Sequence, residues 1–227
     1  MQHRILLLTL IANLISIGVG CNRFSQSPNS AGIEATPQIV EKHLSAFRPI
    51  EGTSYMIADV SGNPQVEERG SFSPFRWIES GYSGYSGYEI YNYVFFGSET
   101  ETFNRLLPTN ESVVLQIVGF PSGTPTEKPE DFKPVRWWMY VLAKADTDKN
   151  GILDYKDRVT IGVTDVGGHS PTELISDVDA VLGHVLKDEN TLFVIYHSLN
   201  KNYIAKMDLP GRQLVSTTEM NLGDDVK

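Results

Sequence analysis

A twelve-residue stretch from Asp146 to Asp157 limits what this chain can fold into more than any other part of it. Its sequence, DTDKNGILDYKD, has carboxylate or amide side chains at positions one, three, five, nine and twelve, and a glycine at position six. A hard divalent cation prefers six to eight oxygen ligands, and so short a segment can supply them only by wrapping around the ion. The spacing therefore predicts a loop closed around a single cation.

Six residues of this stretch are the expected ligands. Alternation directs the first three side chains inward, and Gly151 permits the sharp bend that brings the rest of the loop around. The expected donors are the side chains of Asp146, Asp148, Asn150, Asp154 and Asp157 and the backbone carbonyl of Ile152. The alternative is an acidic turn whose carboxylates are simply solvated.

The spacing resembles the calcium loop of EF-hand proteins, and that resemblance implies Ca²⁺ as the ion. Asp157 stands where EF-hands usually carry a bidentate glutamate, and in this the loop resembles those of dockerin modules, which often end in aspartate. The flanking segments, Val135–Lys144 and Arg158–Val166, have the pattern of strands rather than helices. We therefore expect a structural calcium loop between two strands, with an affinity on the order of 10⁻⁴ to 10⁻³ M.

Residues 1–20 have the pattern of a signal peptide. Their apolar run, Ile5–Val19, is shorter than the roughly twenty residues that span a bilayer. It leads directly to Cys21, which is the only cysteine of the chain and cannot form an internal disulfide. Lipid attachment would give this cysteine a role, whereas an ordinary secretory signal with an incidental cysteine is the alternative.

The junction at Cys21 resembles the lipobox of bacterial lipoproteins, in which the cysteine is acylated and becomes the new N-terminus. Gly18 departs from that pattern, because an aliphatic residue is usual at its position. Asn22 follows the cysteine, and the resemblance then implies the outer membrane, since aspartate there tends to mark inner-membrane retention. Residues 21–38 thus comprise the lipidated cysteine and a tether rich in Ser, Pro, Asn and Ala.

Residues 39–217 are the expected folded domain, and residues 218–227 are a tail. Ile39–Phe47 is predicted to be a short helix, after which short apolar and β-branched runs alternate with turns in an all-β pattern. Three hairpins share one plan, with a period of about forty residues once the loop and a Pro-rich segment, Pro121–Pro134, are set aside. The hairpins begin with Tyr91–Phe96, Arg158–Val166 and Asn202–Asp208 and return through Leu106-Leu107, Leu174-Ile175 and Leu214-Val215.

A period near forty with four strands per unit is typical of propeller blades. The repeats resemble the blades of TolB-type propeller proteins and related bacterial surface lipoproteins. The expected fold is mainly β, with about three antiparallel four-stranded meanders that resemble blades. Three units are one fewer than the smallest usual ring, so the sheet stays open, pairs with another chain, or forms a sandwich instead.

The sequence of one strand predicts how far each face of its sheet is buried. In Arg136–Tyr140, alternation sends Trp137 and Met139 to one face and Trp138 and Tyr140 to the other. We therefore expect one face of this sheet to be buried and the other to be partly covered.

Tyrosines of a Ser-Gly-Tyr repeat are candidates for ligand binding, because rings on a flexible loop can stack on sugars or on a protein partner. They are Tyr82, Tyr85 and Tyr88. The alternative is a mobile connector whose later tyrosines turn into strand packing. No catalytic residue is predicted, and His169, His184 and His197 are expected to have packing or surface roles. The formal net charge of −9 argues against a nucleic-acid partner.

These patterns together predict a non-enzymatic, lipid-anchored envelope protein, in which Ca²⁺ stabilises a β-rich domain that presents a surface to a protein or glycan. The alternative is a secreted hydrolase of polysaccharide or peptide, with its site on the Ser80–Tyr88 or Pro121–Pro134 loops. A pocket with two close carboxylates, or with a Ser–His pair, would favour that hydrolase. A calcium buffer is a third option, which a single weak loop disfavours.

Overall fold

The computed structural model describes residues 40–62, 89–121, 132–221 and 223. The chain contacts define two compact units, Met1–Gln38 and Ile39–Lys227, and all of the described residues belong to the second. Within the described residues, all helical or extended secondary structure is β-strand. These residues contain no helix long and apolar enough to span a membrane.

Thirteen strands are described in chain order. They are β1 (His43–Leu44), β2 (Arg48–Pro49), β3 (Tyr55–Ser61), β4 (Ile90–Gly97), β5 (Thr102–Arg105), β6 (Val113–Phe120), β7 (Trp137–Ala143), β8 (Val159–Asp165), β9 (Thr172–Val178), β10 (Ala180–Asp188), β11 (Thr191–Ser198), β12 (Lys201–Asp208) and β13 (Gln213–Met220).

The strands form three antiparallel sheets in which chain neighbours pair, except that β1 and β2 both pair with β3. The first sheet comprises β1 to β5, with β1 and β2 following one another along the same edge of β3. The second sheet comprises β6 to β9 and the third β10 to β13. Each sheet is thus four strands wide and resembles a propeller blade, which confirms the predicted fold class. The three predicted hairpins are the last two strands of each sheet.

The helix predicted over Ile39–Phe47 is wrong. His43 and Leu44 form β1 and pair with Ser61 and Val60 of β3. The pairing continues at Ser45, whose backbone N–H donates to the Asp59 carbonyl oxygen at 2.9 Å. An exposed edge of β3 thus offers these backbone groups hydrogen-bond partners, and tertiary pairing outweighs the weak local preference for a helix.

The second sheet lies between the other two, as the two faces of β7 show. Met139 and Val141 belong to a hydrophobic cluster shared with the third sheet. Trp138 and Tyr140 belong to a second cluster, shared with the first sheet. The predicted alternation is therefore confirmed, but the expectation that one face is only partly covered is wrong, because Tyr140 is just 1% exposed.

Close packing on the first-sheet side depends on a glycine. Gly162 of β8 pairs with Tyr140 of β7, and the phenol ring lies directly over it. A Cβ atom at Gly162 would lie 2.3 Å from Cζ of Tyr140, far inside van der Waals contact. The absence of a side chain is thus what lets this tyrosine lie flat on its own sheet.

Candidate metal centre

The loop from Asp146 to Asp157 joins β7 to β8, so it bridges two paired strands as predicted. Two residues with positive φ bend it, Lys149 at 63° and Gly151 at 87°. A Cβ atom at Gly151 would meet nothing within 4 Å, so glycine is favoured there by backbone conformation and not by lack of space.

Three of the predicted ligands converge. Carboxylate oxygens of Asp146, Asp148 and Asp157 all lie within 4.8 Å of one another. Oxygens that share one calcium ion at about 2.3–2.6 Å can be no more than about 5 Å apart. The spacing of these three carboxylates is therefore compatible with a single shared cation.

Backbone amides of the loop hold the two exposed carboxylates in place. Asp146 accepts hydrogen bonds from the N–H groups of Asn150 at 3.1 Å and Gly151 at 2.8 Å. Asp148 accepts from the N–H of Asn150 at 3.0 Å. These local bonds curl the chain around the carboxylates and partly offset their mutual repulsion.

The third carboxylate, that of Asp157, is fully buried although most of the loop around it is exposed. It accepts from the N–H of Thr147 at 2.6 Å and from the N–H of Asp154 at 2.9 Å. Burial by itself raises the pKa of Asp157, but the hydrogen bonds from Asp154 and Thr147 outweigh it and the pKa lies below its ordinary value. Asp157 therefore supplies a fixed negative charge at the base of the loop.

Thr147 is a positioning residue that sequence reasoning missed. Its hydroxyl donates to Asp157 at 3.1 Å and accepts from the N–H of Arg158 at 2.9 Å. It stands at the second position of the loop, which carries no ligand in the calcium-loop pattern, so the spacing gave no reason to select it.

The remaining predicted ligands are placed differently. The amide of Asn150 donates to Asp148 at 3.0 Å, which sets it beside the converging carboxylates, and its Oδ1 accepts from the N–H of Ile152 at 2.8 Å. Asp154 is not part of the converging group, and its Oδ1 accepts from the N–H of Lys156 at 2.7 Å. The ninth ligand position often binds through water, so this placement still fits a cation loop.

The donor set is entirely oxygen, which fits a hard cation and not a soft transition metal. Three carboxylates, each oriented by hydrogen bonds, could hold a metal ion. Their arrangement suits any hard divalent ion whose coordination shell accepts oxygen ligands at these positions. Mg²⁺ requires near-ideal octahedral geometry at about 2.0–2.1 Å, whereas Ca²⁺ accepts irregular shells.

The other predicted sites lie outside the described residues. Cys21 and the tyrosines Tyr82, Tyr85 and Tyr88 are not described, and neither is the Ser80–Tyr88 loop. Of the Pro121–Pro134 segment, the structure describes 121 and 132–134. The lipid, the stacking tyrosines and the hydrolase loops therefore remain predictions.

A second polar cluster joins the ends of the three sheets. His169 Nδ1 lies 3.0 Å from an oxygen of Asp165, and its Nε2 lies 2.8 Å from the amide nitrogen of Asn104. Arg212 donates from Nη2 to the other Asp165 oxygen at 3.4 Å. Asn104 belongs to the first sheet, Asp165 to the second, and Arg212 to the turn before β13 of the third. Sequence reasoning missed this cluster, because its members are far apart in the chain.

Comparison with known proteins gives no family for this chain. No protein-family model and no curated protein matches the chain. Among solved structures, the chain is similar to the β-propeller domain of the trilobed protease from Pyrococcus furiosus, described as having an open velcro topology. The identity is 10% and the TM-score 0.35, with 79% of this chain covered. This chain spans 43% of the length of that structure. By its own sheets, it is a mainly β protein with blade-like meanders and a carboxylate cluster on one loop.

Proposed function

We propose that this protein is a non-enzymatic, lipid-anchored component of the bacterial cell envelope. In this proposal, Ca²⁺ bound by the Asp146–Asp157 loop stabilises the β-rich domain, which presents a surface to a protein or glycan partner. The observation that carries the proposal is the convergence of three carboxylates, from Asp146, Asp148 and Asp157, within 4.8 Å. The resemblance of the Cys21 junction to a lipobox supports the anchor.

The role of the ion follows from the charges. Three carboxylates this close repel one another, and the repulsion is greatest for the buried charge of Asp157. A divalent cation bound between the carboxylates would attract all three of them and would link the start of the loop to its end. Since the loop ends join β7 and β8, binding would hold together two central strands of the second sheet.

The size of the expected stabilisation favours an ion with a structural role over one that switches the protein between two conformations. A weak site occupied at ten times its dissociation constant adds about 1.4 kcal/mol to the free energy of unfolding. That increment is useful for a domain with an unfolding free energy of about 5–15 kcal/mol. It is small compared with the roughly 5.5 kcal/mol of differential affinity that a two-state switch needs.

Thermal unfolding of the full chain in a mild nonionic detergent tests the ion. Excess Ca²⁺ should raise the melting temperature by about 3–6 °C relative to EGTA, as expected for about 1.4 kcal/mol in a domain of this size. Mg²⁺ at the same concentration should raise it less. Asp148→Asn should abolish the calcium increment while leaving the fold intact, because the Asp148 side chain is exposed.

Asp177→Asn is the matched control. Asp177 is an exposed aspartate of β9 with a φ of 56°, a conformation that asparagine also tolerates, and it lies outside the loop. This variant should retain the full calcium increment. A melting temperature that does not respond to Ca²⁺ in the wild type would contradict the proposed ion.

A further inference from the structure

The loop between β7 and β8 contains the one Asn-Gly pair of the chain, Asn150-Gly151. In such a pair the backbone nitrogen of the glycine can attack the side-chain amide carbon of the asparagine, because glycine has no side chain to block the approach. Both residues are exposed, and a Cβ atom at Gly151 would meet nothing within 4 Å. Water therefore reaches this pair directly.

Two hydrogen bonds of the loop involve the atoms that would react. The N–H of Gly151, which must lose its proton for the nitrogen to attack, donates to Oδ2 of Asp146 at 2.8 Å. The Oδ1 of Asn150, on which negative charge develops as its carbon becomes tetrahedral, accepts from the N–H of Ile152 at 2.8 Å. The first contact offers the proton a base, and the second stabilises the developing negative charge.

We propose that Asn150 is a site of spontaneous deamidation, and that Asp146 is the base that promotes it. The bond between the Gly151 nitrogen and Cγ of Asn150 forms while the proton of that nitrogen moves to Asp146. The bond between Cγ and Nδ2 then breaks, and Nδ2 takes up one proton from solvent and leaves as ammonia. Asp146 returns its own proton to solvent, and a cyclic succinimide remains in the main chain.

Water then opens the succinimide at either of its carbonyl carbons. Attack at Cγ restores the ordinary main chain and leaves an aspartate side chain at position 150. Attack at the backbone carbonyl carbon gives isoaspartate instead, whose main chain runs through Cβ and Cγ and is longer by one methylene. Water is the only co-reactant, ammonia is the only product released, and nothing is oxidised or reduced.

Each product changes the carboxylate cluster in its own way. The amide of Asn150 donates to Asp148 at 3.0 Å, whereas an aspartate oxygen in its place would repel that carboxylate when no ion is bound. Isoaspartate displaces Gly151 and so removes its hydrogen bond to Asp146. The effect on cation binding rests on the proposed function: aspartate adds a charged ligand and should tighten Ca²⁺ binding, and isoaspartate should weaken it.

Asn200 is an internal comparison within the same chain. It is exposed, like Asn150, and lies in the turn between β11 and β12 with a φ of 60°. Lys201 follows it, however, and the lysine side chain hinders the attack that glycine permits. Asn200 should therefore keep its amide while Asn150 loses it.

Peptide mapping by mass spectrometry follows the reaction in the full chain, incubated with EGTA in a mild nonionic detergent at mildly alkaline pH. The tryptic peptide of residues 150–156 should shift with time from the mass of the amide to that of the acid. Part of the product should be labelled by protein isoaspartate methyltransferase. The rate should rise with pH, because the attacking nitrogen must lose its proton. The peptide that contains Asn200 should keep its mass over the same period.

Asp146→Asn tests the role of the base. Asparagine can still accept the N–H of Gly151 but cannot take its proton, so deamidation at Asn150 should slow by about tenfold or more. Asp177→Asn removes the same charge from an exposed position outside the loop and should react at the wild-type rate. In concentrated urea, Asp146→Asn and the wild type should react at one rate, because unfolding separates Asp146 from Gly151.

Two results would overturn the proposal. One is a peptide of residues 150–156 that keeps the mass of the amide in the folded wild type. The other is a folded Asp146→Asn variant, shown by unchanged circular dichroism, that deamidates as fast as the wild type. A melting temperature that does not respond to Ca²⁺ would contradict the proposed ion alone, since the deamidation is measured in EGTA.

Discussion

At the scale of single residues, Asp157 differs from the two aspartates that it approaches. Asp146 and Asp148 are exposed, so water can solvate their charges when no ion is bound. Asp157 is fully buried and depends instead on the amides of Thr147 and Asp154. All three carboxylates accept backbone N–H bonds, but only the charge of Asp157 is shielded from water and must be stabilised by the protein or by an ion.

This difference predicts a pH dependence of stability in EGTA. The pKa of Asp157 is lowered in the folded state from its ordinary value of 3.8, so its contribution is present above that pH and is lost as the pH falls through the folded-state pKa. Asp157→Asn should lower the free energy of unfolding at pH 7 by about 2–3 kcal/mol, since a hydrogen-bonded charged acceptor is lost. Denaturant titrations at pH 7 and below pH 3 measure this.

The loss caused by Asp157→Asn should shrink at the acidic pH, where the wild-type carboxyl is itself becoming protonated. Asp177→Asn should cost no more than about 0.5 kcal/mol at either pH, because its side chain is exposed. An equal loss at both pH values for the Asp157 variant would show that its role does not depend on charge.

Much of the candidate site could be predicted at this scale, because the calcium-loop spacing is a local property of the sequence. It identified the three converging carboxylates and the bend at Gly151. It could not show that Asp154 lies outside the converging group or that Thr147 orients Asp157. Both depend on hydrogen bonds that form only after the loop has closed.

At the scale of elements, the second sheet determines how the others pack. Strand β7 buries both of its faces, and its neighbour β8 is buried from Val159 to Thr164. Runs of apolar residues with little alternation are typical of such two-sided burial. The order of residues in β7 showed which side chains point to opposite faces, but not what would cover each face, since that depends on sheets distant in the chain.

Gly162 supplies a test of this packing. Gly162→Ala should lower the free energy of unfolding by about 1–3 kcal/mol, the usual cost of overpacking, because its Cβ would overlap the Tyr140 ring at 2.3 Å. Gly183→Ala is the matched control in β10, where a Cβ atom meets nothing within 4 Å and should be neutral or slightly stabilising. Chemical denaturation measures both.

A double variant decides whether the tyrosine is the cause. With Tyr140→Leu in place, the ring is gone, and adding Gly162→Ala should then cost much less than it does in the wild type. Equal costs in the two backgrounds would indicate that β8 requires glycine for some other reason.

The shortest elements show the limit of sequence reasoning. Strands β1 and β2 contain two residues each, too few to display any periodicity, and the segment that contains β1 was predicted to be helical. The edge of β3 determines their structure. The longer, strongly patterned strand β12 agrees to within one residue with the predicted Asn202–Asp208, because period-two alternation extends over eight positions.

At the scale of the whole molecule, the described sheets meet at their ends as well as at their faces. Asp165 of β8 receives hydrogen bonds from His169 and Arg212, and His169 in turn contacts Asn104. The cluster therefore ties the three sheets together at their ends. No local sequence pattern could reveal it, since Asn104 and Arg212 are more than one hundred residues apart.

If Cys21 is a lipid attachment site, it would determine where in the cell this protein resides. If the cysteine is acylated as its lipobox-like context predicts, then two or more fatty chains hold the protein durably on a bilayer, whereas one chain alone binds only marginally. In a bacterial host, the wild type should incorporate labelled palmitate and sediment with the membrane fraction. Cys21→Ser should lose both properties, and Gly18→Leu, which restores the usual lipobox residue, should keep or increase labelling. Labelling that persists in Cys21→Ser would place the lipid elsewhere and remove the basis for an anchor at this junction.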